Sequence, residues 1–145
     1  MNIPMKYVKI TFYVLAAIFV LIQLKQPDRT NPSEIADSTI PAEVKTILKA
    51  KCYDCHSNES HWPWYSYVAP VSWWVADHVH EGRREVNYSK WDTYDEDRQE
   101  SKIEETFDEM LDGLMPLESY LITHRDAKVT EEDIDVIDMW LAGEL

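Results

Sequence analysis

Residues 101–114 read Ser101-Lys-Ile103-Glu-Glu-Thr-Phe107-Asp-Glu-Met110-Leu111-Asp-Gly113-Leu114. Ile103, Phe107, Met110, Leu111 and Leu114 follow the spacing that lines one face of an α-helix. Ser101 with Glu104 has the form of a capping box, which would open the helix at Ser101, and Gly113 suits its stop. The same logic extends outward. Thr130 with Asp133 opens a further helix. Glu131 and Glu132 suit its positive end, and Ile134, Ile137, Trp140 and Leu141 form its buried face. Upstream, Pro41 suits a first turn, with Val44, Ile47 and Leu48 on one side. Between Pro70 and Gly82, Val71, Val75 and Val79 share a stripe that Ser72 is placed to cap. No run alternates at period two. The expected fold class is all-α.

The chain has 145 residues, the size of one compact domain rather than two. It carries 14 Lys plus Arg against 27 Asp plus Glu, a formal net charge of -13. The first 26 residues hold Lys6, Lys9 and Lys25 and no acid, so the remainder is more acidic still. Such a body lacks the basic face that nucleic acid binding requires, and no nucleic acid partner is expected. Six Trp, eight Tyr and three Phe argue for an ordered core. Gly82, Gly113 and Gly143 are too scattered to form a phosphate loop.

From Ile10 to Leu24, 13 of 15 residues are apolar, preceded by Lys6 and Lys9 and closed by Lys25 before Pro27. No small-x-small cleavage pattern follows the apolar run, which favours an uncleaved anchor over a cleaved signal; a buried soluble helix is the third alternative. A helix over residues 7–24 is long enough to span a bilayer. The lysines on its N-terminal side leave the acidic body outside the cytoplasm. Residues 27–39 read as a polar linker broken by Pro27 and Pro32. The expected organisation is thus an anchor over 1–26, a linker over 27–39 and a folded domain over 40–145.

Both cysteines of the chain fall in Cys52-Tyr53-Asp54-Cys55-His56. This C-x-x-C-H spacing is the signature of c-type haem attachment. Thiols at i and i+3 on a helical turn can reach the two vinyl groups of one haem, and the adjacent His56 then ligates the iron. Three alternatives compete. A Cys52–Cys55 disulfide would close too small a loop to stabilise much. A redox dithiol needs a βαβ context. A zinc site needs a second ligand pair, and no further Cys exists.

The sixth iron ligand is expected to be Met115, which follows the helix stop at Gly113 and precedes Pro116, so that its backbone is pushed towards an extended loop. A histidine (His61, His78, His80 or His124) or an open position are the alternatives. Met110 and Met139 are assigned to packing.

Several further blocks accompany the motif: Ser57-Asn58, Trp62-Pro-Trp64-Tyr-Ser66, Ala69-Pro-Val-Ser-Trp73, His78-Val79, Gly82-Arg83, Asn87, Ser89, Trp91, Met115-Pro116 and Tyr120. With these, residues from about Pro41 to Ala142 resemble the bacterial haem-binding domain family of c-type cytochromes. The resemblance implies a small cytochrome c-like helical domain around one covalent haem c, His56 as a ligand, and electron transfer. Trp64 and Trp73 are candidates for the pocket wall, with ordinary core as the alternative for the six aromatics between Trp62 and Trp74. Arg83 and Arg84, with Asn87, are candidates for neutralising the propionates, with a solvated helix end as the alternative. The acidic run from Asp92 to Glu109 is a solvated face that could also steer a basic redox partner.

The leading expectation is a single-pass protein of the bacterial inner membrane with its haem domain on the periplasmic side, carrying electrons rather than catalysing a reaction. A peroxidase-like enzyme or a haem-based sensor with an open iron position is the alternative. Ligation of the iron separates them.

Overall fold

The computed structural model describes residues 4–145, and every regular element among them is helical. The α-helices are α1 (Met5–Ile22), α2 (Ala42–Lys51), α3 (Tyr53–His56), α4 (Val71–Glu85), α5 (Glu96–Leu111), α6 (Glu118–Leu121) and α7 (Glu131–Leu141). Short 3-10 segments occur at Trp64–Tyr67, Tyr88–Thr93 and Arg125–Ala127. The all-α expectation holds.

Two compact units make up the chain. One joins residues 1–30 to 62–78; the other joins 31–61 to 79–145. In the first, α1 is solvent-exposed along its length and is long and apolar enough to cross a membrane, by length and composition alone. Anchors and signal sequences share those properties.

The second unit holds the hydrophobic core. Val44 and Leu48 of α2, Met110 of α5, and Ile137 and Trp140 of α7 bury their side chains against Tyr53, Tyr88 and Trp91. Each fully buried aliphatic side chain contributes roughly 1.5–3 kcal/mol. Trp91 packs on Trp140 with ring centres 5.0 Å apart, and Tyr53 stacks on Tyr88 at 6.1 Å with nearly parallel planes. This aromatic wall carries the end of α2 directly into α3.

Helix ends show which local signals won. The Thr130–Asp133 capping box forms in both directions, at 3.2 and 2.9 Å. The box expected at Ser101 does not form. Asp95 caps α5 instead, accepting from the Arg98 N–H at 2.9 Å, so the helix starts at Glu96 and Ser101 Oγ donates to Glu105 within it. Leu111 and Leu114 fall off the buried stripe and are more than half exposed. Ser72 does not cap α4 either: it is the second helical residue, and its buried hydroxyl finds no partner. Gly113, with φ +68°, lies just beyond the end of α5 and supplies the left-handed residue that such an ending favours.

The polar stretch before α2 is bound into the second unit. The Ala36 N–H donates to the Ser89 carbonyl, and the Asp92 N–H donates to the Ala36 carbonyl, both at 2.7 Å. The Asp92 carboxylate accepts from the backbone and hydroxyl groups of Ser38 and Thr39, which hold it well below the usual carboxylate range. Asp37 is buried. It pairs with Lys45 at 2.7 Å and accepts from the Tyr53 hydroxyl at 3.0 Å. These polar residues help to hold the first residue of α3.

Candidate functional site

Residues 52–56 form one helical turn. The N–H groups of Cys55 and His56 both donate to the Cys52 carbonyl, at 3.1 and 2.9 Å. That geometry puts the side chains of residues 52 and 55 on one face. Both are free thiols and both are partly buried. Burial, then the neighbouring Cys55 and Asp133, pushes the Cys52 thiol up to about 12. Burial and Asp54 push Cys55 up to about 11. A dithiol made for exchange holds its attacking thiol low. These two are held high. Among the described residues, no three His, Cys, Asp or Glu side chains converge to hold a bare metal ion. The zinc alternative therefore has no ligand set.

Burial lowers the pKa of His56, which favours the neutral imidazole that an iron ligand must be. Its Nδ1 lies 3.3 Å from the Val86 carbonyl. A proton on Nδ1 donates to that carbonyl and leaves the Nε2 lone pair bare. Two thiols on one face, followed by an imidazole that burial keeps neutral and whose Nδ1 is held by the Val86 carbonyl, fit a haem site.

Gly82 of α4 sets how closely the motif packs. A Cβ at this position would lie 2.8 Å from the Cys55 carbonyl oxygen and 3.2 Å from its carbon. Both obstacles are backbone, so they cannot swing aside. Gly82→Ala should cost about 1–3 kcal/mol of stability by overpacking, read as a lowered denaturation midpoint. The same displacement of residue 55 should reduce the fraction of chains that retain haem.

Behind the motif lies a buried polar network that sequence reasoning did not find. Ser57 Oγ donates to the Tyr53 carbonyl at 2.7 Å and accepts from the Glu59 N–H at 2.9 Å. The Asn58 N–H donates to Ser89 Oγ at 3.0 Å. Asn58 Nδ2 donates to the Glu34 carbonyl and its Oδ1 accepts from Asn87 Nδ2, both at 2.8 Å. Asn87 Oδ1 in turn accepts from the Ser89 N–H. Such a network rigidifies when its members are satisfied. The available signal was a run of small polar residues immediately after His56.

Two candidate propionate partners also take part in this network. Arg83 donates through Nε to the Ser57 carbonyl at 2.7 Å, and through Nη2 to Asn31 Oδ1 and Ser60 Oγ at 2.7 and 3.0 Å. Asn87 caps the turn at Tyr88 and bonds Asn58. Both residues therefore have structural work at the motif.

Asp54 links the motif to the segment that follows Met115. The Tyr120 hydroxyl donates to Asp54 Oδ2 at 2.7 Å, while the His61 N–H donates to Asp54 Oδ1 at 3.0 Å. Tyr120 lies in α6, five residues beyond Met115, so the loop after α5 returns to the C-x-x-C-H turn. Met115 itself is partly buried. Met110 is in the core, as its stripe implied, whereas Met139, assigned to packing, is 40 % exposed. His61 is exposed, and His124 stacks on Tyr120 at 4.1 Å. Trp64, Trp73 and His78 belong to the other unit. There Trp64 is 78 % exposed, the Trp73 indole donates to the Lys25 carbonyl, and His78 packs on Trp74.

A family model described as haem-binding domain matches residues 17–143. No curated protein and no solved structure is significantly similar to the chain. The matched span takes in α2 to α7, the C-x-x-C-H turn and the Met115 loop. On that match the chain belongs to the haem-binding domain family.

Proposed function

We propose that this protein is a membrane-anchored monohaem c-type cytochrome that transfers single electrons and is not a catalyst. The observation that carries the reading is the C-x-x-C-H turn itself, which presents two thiols on one face beside a neutral imidazole. Haem, when bound, supplies an iron centre that cycles between two oxidation states. Cys52 and Cys55 would hold it by thioethers, each S–H adding across one vinyl double bond with sulfur on one carbon and hydrogen on its neighbour. His56 offers Nε2 to the iron, oriented by the Val86 carbonyl. Met115 offers its thioether from the loop that Tyr120 ties back to Asp54. Two protein ligands would leave no open position for a substrate, and the reading of electron transfer over catalysis rests on that pair.

The attachment is tested by the alkaline pyridine spectrum of purified protein, since saturation of both vinyls shifts the reduced band away from that of non-covalent haem. Carbon monoxide tests the competing class. Ready binding to the reduced iron of the unaltered protein would point to an open position, hence to a peroxidase-like or sensing role; a closed iron should bind it only after Met115→Ala. Topology has its own expected result. Intact mass should show a chain that retains its N-terminal residues, and the protein should stay with membranes through a high-salt wash. A mass beginning near Gln26 would instead establish a cleaved, soluble form.

A further inference from the structure

The unit formed by residues 1–30 and 62–78 is fastened at specific points. Gln23 Nε2 donates to the Ala69 carbonyl at 3.1 Å, and the Ala69 N–H donates back to Gln23 Oε1 at 2.8 Å. Trp73 Nε1 donates to the Lys25 carbonyl at 2.6 Å. Arg29 donates to the Ser66 carbonyl at 3.2 Å and lies over the Tyr67 ring, 4.3 Å from its centre. The aromatic segment is thus tied to the residues at which an apolar helix of membrane length ends. A membrane helix meets the headgroup layer at that point.

The outer surface of the segment has the chemistry of that layer. Trp64 is 78 % exposed, Tyr67 51 % and Trp74 48 %, and no charged residue occurs from Trp62 to Ala76. Indole and phenol rings combine an apolar body with a polar edge, which places them at membrane–water boundaries. Charge agrees. On the side where α1 ends, this unit holds Lys25 and Arg29 against Asp28 and Asp77, whereas the other unit holds 10 bases against 25 acids. Anionic lipid repels the second balance and not the first.

We propose that residues 62–74 form a membrane-interface platform, with Trp64, Tyr67 and Trp74 seated among the headgroups of an anionic phospholipid bilayer. The proposal rests on the reading of α1 as an anchor. Its test reconstitutes the full-length holoprotein into phosphatidylethanolamine–phosphatidylglycerol vesicles whose acyl chains carry bromine either near the headgroup or deep in the bilayer. Tryptophan emission is read as the ratio to unbrominated vesicles, which cancels quenching inside the protein.

The protein should float with the vesicles, shallow bromine should quench more than deep bromine, and Trp64→Phe/Trp74→Phe should remove at least half of the shallow quenching. Flotation with no quenching, or with quenching unchanged in the double variant, would overturn the platform and leave the anchor standing; the exposed rings would then face a protein partner or a second copy. Failure to float would overturn anchor and platform together. The shallow-to-deep comparison on the unaltered chain keeps the test decisive even if the double variant folds poorly.

Discussion

Replacing Cys52 and Cys55 together by alanine should yield a chain with no haem signal on a denaturing gel, a loss to background. Each single replacement should leave a weakened signal, because one remaining thioether still holds one edge of the ring. The expectation follows from the chemistry of the pair. Both thiols are partly buried on one helical turn, both are held protonated by burial, and neither has a disulfide partner. The double variant should also be harder to fold. Val44, Leu48, Tyr53 and Tyr88 pack around this turn, and Cys52 packs against that core, so losing the cofactor that the turn presents would leave its exposed side without a covering surface. Staining that survives in the double variant would show that the haem is held without thioethers, and the c-type reading would fall while haem binding stood.

What could be read from residue order alone was whatever depended on neighbours in sequence. The Thr130–Asp133 box formed as expected because both of its bonds are local, and the Lys51 ammonium 3.6 Å from Asp133 Oδ2 leaves them in place. The Ser101–Glu104 pattern has the same form, yet Asp95 starts the helix earlier. Glu96 and Asp97 suit the first turn, and the exposed residues before Ile103 carry no apolar stripe to reveal them. Residues 31–39 look like linker because they are polar, but their partners, the Ser89 carbonyl and the Asp92 N–H and carboxylate, are about fifty positions away, beyond any local pattern. Arg83 shows the same limit. A guanidinium suits a propionate and a peptide carbonyl equally well, and the bond that its Nε makes to the Ser57 carbonyl, 26 positions away, is not visible in residue order. Aromatic density was ambiguous for a related reason: Trp91 and Trp140 make core, while Trp64 and Trp74 face outward, and composition is identical in the two cases. The turn from Cys52 to His56 was readable because its spacing lies within one helical turn.

Met115→Ala should abolish the weak absorption band that arises from sulfur on iron and should lower the reduction potential, while covalent haem remains attached through Cys52 and Cys55. A thioether ligand raises the potential of a haem, so its removal acts in the opposite direction. Met110→Leu is the matched control. Met110 is 3 % exposed within the core, and a roughly volume-conserving change there should leave band and potential in place at a cost below about 1.5 kcal/mol. Tyr120→Phe probes the tie between loop and motif. It removes the donor to Asp54 but keeps the ring that stacks on His124. Loosening the segment after Met115 should weaken the sulfur band without eliminating it, and should leave haem staining unchanged. A purely structural tyrosine would lower the denaturation midpoint and leave the band alone. If Met115→Ala retains the native spectrum, and His124→Ala or His78→Ala changes it instead, then the iron is held by two histidines. In that case the Asp54–Tyr120 bond positions an imidazole, or nothing at all, in place of a thioether.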